Sequence, residues 1–152
     1  GDVGARYAFG LFTSDEQLVS CMSLRSPRFG QFKGKKWELA RFASSLNTYV
    51  RGALSKLTHH AATVIRNEHQ MDIFTYVDTR FGGSNAYASS GWKLHKKDAF
   101  TEFWWTDFIN RYPRFSIRAD KERKMSEQDV AIEQGLTKIS GCYNDIYTYT
   151  LL

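Results

Sequence analysis

Tyr76-Val77-Asp78-Thr79-Arg80-Phe81-Gly82-Gly83-Ser84-Asn85-Ala86-Tyr87-Ala88-Ser89-Ser90-Gly91-Trp92 is the stretch on which the fold turns. It opens on the end of a β-branched and aromatic run, Ile73 to Val77, bounded by Asp72 and Asp78, which predicts a buried strand. Gly82-Gly83-Ser84-Asn85 predicts a turn, and the piece through Tyr87 predicts a short helix that stops at Gly91. Trp92 to His95 and Phe103 to Asp107 then predict two further strands.

Upstream, Val50, Ala53, Leu54, Leu57, Ala61, Val64 and Ile65 share one face at a 3.6-residue period, which predicts an amphipathic helix with Asn47 or Thr48 as its cap. Earlier still, Arg6 to Thr13 and Gln17 to Leu24 read as an antiparallel hairpin around the polar Ser14-Asp15-Glu16. Arg25 to Lys36 reads as a loop, and Trp37 to Phe42 as a third strand, although Glu38-Leu39-Ala40-Arg41 suits a helix equally well. A hairpin followed by strand, helix, strand, helix, strand implies an α/β (α+β) domain with a central mixed sheet flanked by helices. Downstream, Arg111 to Lys124 is basic, Glu127 to Gln134 predicts a helix, and Ile146 to Leu151 predicts a final edge strand. The expected organisation is one domain over 1–152, with a core over about 6–107 and a basic extension over 108–152.

Composition supports a folded, aromatic-rich domain: of 152 residues 42% are hydrophobic and 15% aromatic, with only 2 Pro, which excludes collagen-like and disordered classes. The net charge of +5 is unevenly placed. Arg25, Arg28, Lys33, Lys35, Lys36 and Arg41 face a single acid, Glu38, and Arg111, Arg114, Arg118, Lys121, Arg123 and Lys124 face only Asp120 and Glu122. Clustered bases attract nucleic acid, an anionic membrane surface or a phosphate-bearing cofactor, or else form a solvated face. Arg25, Arg28, Lys33, Lys35, Lys36, Arg111, Arg114 and Arg118 are the candidate nucleic-acid contacts. Trp104, Trp105, Tyr112 and Phe115 interleave with the second cluster, a pattern suited to stacking on bases or, equally, to filling a core. The 2 Cys, Cys21 and Cys142, are too few for a disulfide framework and point to a reducing, cytoplasmic compartment. No run reaches the roughly 20 apolar residues of a membrane span, so no membrane partner is expected.

Candidate chemistry is sparse. His59 and His60, adjacent on a helix, point about 100° apart and cannot share a metal, and Glu68 and His69 lack a third ligand at suitable spacing, so no metal site is expected. Asn47 to Leu57 sets a small-residue turn and the bases Arg51 and Lys56 at a helix start, where unpaired N–H groups and the helix dipole favour an anion.

The Tyr76 to Trp92 stretch, a strand ending in Asp, a Gly/Ser/Asn turn and Ala-Tyr-x-x-x-Gly-aromatic, resembles the second half of the GNAT acyltransferase core. With the hairpin and the long helix the resemblance spans about Arg6 to Asp107. Leu18-Val19-Ser20, Glu38-Leu39-x-Arg41-Phe42, Gly52-Ala53-x-Ser55-Lys56-Leu57 and the ending with Gly135, Tyr143 and Tyr147 are similar to GNAT-like segments of phage proteins, including those associated with homing endonucleases and the Mom-type proteins that modify DNA.

The resemblance implies an acyltransferase that moves an acyl group from acetyl-CoA, or a related thioester, to an amine, with nucleic acid as a candidate acceptor. Tyr87 matches the tyrosine that protonates the departing thiolate, a role a neutral phenol suits. Arg51, Gly52, Ala53, Ser55 and Lys56 would receive the pyrophosphate, with Asn85 beside the cofactor. The strand carrying Arg41 and Phe42 would pair with the thioester arm and polarise its carbonyl through a backbone N–H. Asp78 and Glu38 are candidate proton acceptors. Each has an alternative: Tyr87 as a packed tyrosine, Asp78 as the cap of the turn after it, Glu38 as an ion-pair partner of neighbouring bases. The family's Gln/Arg-x-x-Gly-x-Gly/Ala turn is degenerate here, which leaves a second expectation open: a non-catalytic DNA-binding or target-recognition module of a homing-endonuclease-like phage protein.

Overall fold

A computed structural model describes residues 4–27, 30–69, 72–81 and 84–151. They form two compact units, one of residues 1–99 and 144–152 and one of residues 100–143. The Gly82-Gly83 turn and Arg28 lie outside the described residues.

The first unit begins with a meander. Strands β1 (Tyr7–Phe12), β2 (Leu18–Arg25) and β3 (Lys36–Ser44) pair antiparallel in order. Alternation settles the helix-or-strand ambiguity of Trp37 to Phe42, because Trp37 and Leu39 are buried against a helix while the intervening Glu38 faces the other side of the sheet. That helix, α1 (Ala53–His69), presents Leu54, Leu57, Ala61 and Ile65 to the sheet and leads to β4 (Asp72–Asp78), which lies parallel to β3. β4 alternates as the sequence requires, with Ile73 and Val77 in the helix-side core and Phe74 packed with Phe32 and Ile146 on the opposite side.

After β4 come a short turn at Thr79–Phe81 and α2 (Ser84–Ser89). α2 ends through a pair of reversed hydrogen bonds, Gly91 N to the Ala88 carbonyl at 3.3 Å and Trp92 N to the Tyr87 carbonyl at 3.1 Å, with Gly91 at φ 84°. A helix closed in this way wants glycine in the left-handed position and an apolar contact between the residue after it and the last turn, and Trp92 meets Tyr87 edge-on with ring centroids 5.4 Å apart.

The chain then enters β5 (Lys93–Thr106), one strand of 14 residues where the sequence suggested two. The charged Lys96-Lys97-Asp98 in its middle hides its continuity from an apolar pattern, and Asp98, at φ 47°, donates its N–H to the Asp145 carboxylate at 2.9 Å. The last strand, β7 (Thr137–Tyr149), also departs from expectation: it lies between β4 and β5 and is no edge. Its burial explains the placement, since Asp145, Ile146 and Tyr147 are all buried, the pattern of a strand covered on both sides. In the first unit the strand order is thus β1-β2-β3-β4-β7-β5, a mixed sheet.

The second unit holds the remaining halves of β5 and β7 together with β6 (Arg111–Pro113), a 3-10 turn at Arg114–Ser116 and α3 (Glu127–Glu133). Its own core is Trp105, Ile117, Val130 and Ala131. α3 begins with a reciprocal cap between Ser126 and Asp129 and ends at Gly135 in the same manner as α2. Among the described residues no helix is long and apolar enough to cross a membrane.

Candidate functional site

β3 and β4 diverge almost as soon as they meet. They pair at Lys36↔Asp72, Trp37↔Ile73 and Glu38↔Phe74, and beyond these β3 runs on to Ser44 and β4 to Asp78 with no further paired position among the described residues. The six β3 residues past Glu38 extend about 20 Å at the usual rise per residue. Ala40 reinforces the divergence: the β2–β3 register slips from Leu24↔Leu39 to Ser23↔Arg41, leaving Ala40 as an extra residue, and such a bulge bends its strand.

At the root of this wedge the last link is made by a side chain. The Thr75 hydroxyl of β4 donates to the Leu39 carbonyl of β3 at 3.0 Å, and the Tyr87 hydroxyl of α2 lies near Thr75. Tyr87 is half-buried, with its ring against Trp92 and Tyr147, and burial pushes its hydroxyl pKa above the ordinary tyrosine value, opposed by the neighbouring Thr75 hydroxyl. It is therefore a neutral phenol at any physiological pH. Trp92 Nε1 donates to Thr58 Oγ1 at 3.3 Å and so ties this turn to α1.

Glu38 stands on the opposite face of the sheet. Its carboxylate is gripped by Arg25, Nε to Oε2 at 3.0 Å and Nη2 to Oε1 at 2.6 Å, and only 7% of the residue is exposed. Tyr76 lies near enough that burial first, and the Glu38 charge second, raise its pKa. Asp78, farther along β4, accepts Arg80 N at 2.9 Å and the Arg80 guanidinium; the guanidinium hydrogen bond is the main cause of a carboxyl pKa below the usual value.

The connection from β3 to α1 leaves the helix start open. Gly52, at φ 71°, accepts the first helical bond from Lys56 N at 2.9 Å, while Ala53 N returns to the Val50 carbonyl at 3.2 Å. The first-turn N–H groups of Leu54 and Ser55 have no acceptor within the helix. Arg51, Ser55 and Lys56 are exposed and Ala53 is buried. Arg51 and Lys56 form no ion pair among the described residues. A cavity of about 430 Å³ is lined by Ser55, Ser89, Ser90, Gly91, Lys93, Tyr149 and Thr150, joining the first turn of α1 to the end of α2. Arg41 is exposed on β3 past the bulge, Phe42 is half-buried against the core, and Asn85 is exposed at the start of α2.

No protein-family model and no curated protein matches this chain.

The basic clusters behave differently from one another. In the first, Arg25 is committed to Glu38 and Lys36 to Asp72 at 2.6 Å, which leaves Lys33 and Lys35 exposed. In the second unit Arg111 lies over the Trp104 ring at 4.6 Å and Arg114 over Phe103 at 5.0 Å, while Arg118 is exposed. Trp105 is the core residue of the tryptophan pair and Trp104 is the half-buried one. Thr75 is a site residue absent from the sequence-based candidates; its signal is the one aliphatic hydroxyl inside the apolar run Ile73 to Val77. Among the described residues no three His, Cys, Asp or Glu side chains converge, and both cysteines are free and exposed.

Proposed function

We propose that the first unit is a GNAT-like N-acyltransferase that takes an acyl group from acetyl-CoA or a related thioester to an amine. The observation that carries this is the wedge between β3 and β4, with Tyr87 and Thr75 at its root. Two parallel strands that separate leave edge N–H and C=O groups to pair with an inserted extended chain, and the amides of a pantetheine arm supply such a chain. The N-terminus of α1, with Arg51 and Lys56, receives the pyrophosphate. Backbone N–H groups of β3 beyond the Ala40 bulge face the thioester carbonyl and stabilise the charge that forms on its oxygen.

The amine nitrogen attacks the thioester carbon, the new C–N bond replaces C–S, and the departing sulfur takes the Tyr87 proton. The amine proton goes to a carboxylate. The candidates are Asp78 and Glu38, each ion-paired to an arginine: Arg80 holds Asp78 with a lowered pKa, and Arg25 holds Glu38 on the face opposite Tyr87, so the acceptor must be released from its arginine to take the proton.

Calorimetric titration with acetyl-CoA and CoA tests the reading: micromolar binding supports it, and no binding at millimolar ligand removes it. Tyr87→Phe is expected to keep the fold and slow transfer about 100-fold; unchanged turnover takes Tyr87 out of the mechanism.

A second reading, a DNA-binding module of phage type with no acyl chemistry, is favoured by one observation, the cations held over aromatic rings in the second unit. It requires duplex affinity that falls steeply with salt.

A further inference from the structure

The turn between β5 and β6 puts two large apolar side chains into solvent: Phe108 is 80% exposed and Ile109 90%. Phe108 does so from φ 69°, a left-handed backbone state that glycine or asparagine adopts easily and a bulky residue does not. The turn is closed by other residues. Phe108 N donates to Thr106 Oγ1 at 2.9 Å, Thr106 Oγ1 donates to the Asn110 carbonyl at 2.7 Å, and Ile109 N donates to Asp107 Oδ1 at 2.9 Å. Asn110 N and the Tyr112 hydroxyl also donate to the Asp107 carboxylate. None of these bonds uses the Phe108 ring, so glycine at 108 would close the same turn without strain. A strained, solvent-facing phenylalanine on a pinned tip is the mark of a side chain kept for what it touches outside the chain.

The surroundings name the partner. Directly behind the tip Arg111 lies over Trp104, and Arg114 and Lys138 lie over Phe103, the latter at 4.3 Å. None of Arg111, Arg114 and Arg118 forms an ion pair among the described residues. Guanidinium groups held over rings keep their N–H forks available for bidentate phosphate contacts. Two apolar residues on a narrow ribbon are too little area to anchor a protein to lipid unaided, but suffice to unstack a single base step.

We infer that the β5–β6 turn is a wedge for duplex DNA: Phe108 and Ile109 enter between stacked base pairs while Arg111, Arg114 and Arg118 hold the flanking phosphates. The inference goes beyond a basic patch, which would read phosphates alone, and it rests on the second unit by itself, so the acetyl-CoA titration can fail without touching it.

The test uses the full chain and an end-labelled duplex of about 30 base pairs, with bending read by energy transfer and affinity measured across a salt series. Wild type is expected to bind and bend. Phe108→Gly should melt at the same or a higher temperature, bind at least about tenfold more weakly and lose the bend, with the salt slope unchanged, since stacking is not ionic. Arg111→Gln and Arg114→Gln should each lower the salt slope by about one. Duplex binding and bending that survive Phe108→Gly overturn the wedge and leave a plain basic patch. Absence of duplex binding at low salt, or loss of anionic-vesicle binding in its place on Phe108→Gly, overturns the inference altogether.

Discussion

Thr75→Val separates a wedge held by one hydroxyl from a wedge held by packing. Valine matches threonine in shape, so the change deletes one buried hydroxyl and little volume. In the protein that hydroxyl donates to the Leu39 carbonyl at 3.0 Å, and Thr75 is 3% exposed. That bond is lost, and the Leu39 carbonyl remains buried without the partner it had. With about 1 kcal/mol net per bond, rising where a group is left unsatisfied, the expected loss is about 1–2 kcal/mol. Urea unfolding followed by tryptophan emission measures it, and in a chain of this length it corresponds to a melting shift of about 2–8 °C. A Thr75→Val protein within about 0.5 kcal/mol of wild type would mean that the hydroxyl does not hold the Leu39 carbonyl, and the proposed root of the site would go with it.

Three further outcomes are expected. Glu38→Gln removes the carboxylate charge that pairs with the half-buried Arg25 guanidinium and should cost about 2 kcal/mol in urea unfolding, discounted from a fully buried pair because the Arg25 side chain is 30% exposed; Arg25→Met with Glu38→Leu should recover most of that loss. Gly91→Ala meets no clash, the nearest atom being Tyr149 Cε2 at 3.5 Å, so its cost is the left-handed backbone alone, about 1 kcal/mol by the same measurement. Asp107 is held at a carboxyl pKa of about 2, chiefly by the Asn110 and Ile109 N–H groups; because the folded value lies below the unfolded one, the turn is supported above about pH 4 and loosens as pH falls toward 2. Carbon-detected NMR titration of the Asp107 carboxyl should find its midpoint there, and a midpoint near 4 would show that the turn does not hold it.

The hairpin and the amphipathic helix were legible because each buries one face, and a one-faced element writes its period into the sequence; the strand at Ile73 to Val77, covered on both faces, was legible as a short apolar run bounded by Asp72 and Asp78. β7 was legible only in its last residues, as the strand read at Ile146 to Leu151; residues 137–143 are largely exposed and carry no apolar run, and its place between β4 and β5 depends on contacts distant in sequence. The continuity of β5 was hidden in the same way, because residues 93–98 are exposed. Of the candidate residues, Tyr87 was found through its spacing to Gly91 and Trp92, and that spacing has a sufficient structural cause in the way α2 ends. The motif therefore locates the tyrosine without assigning it a task. The wedge was invisible, because it consists of hydrogen bonds that are not made.

A parallel pair gains by continuing, and here β3 and β4 each supply several residues that could have extended the ladder beyond Glu38 and Phe74. Two local features oppose this. The Ala40 bulge turns β3 aside, and the threonine hydroxyl takes the Leu39 carbonyl that a β4 backbone N–H would otherwise claim. Neither is needed to bury the core, since Trp37, Leu39, Ile73 and Val77 reach α1 regardless. Restoring the ladder would satisfy more backbone groups at no loss of apolar contact, so stability alone favours the closed sheet. The opening, with the half-buried Tyr87 at its root, is the feature on which the proposed acyl-transfer reading rests.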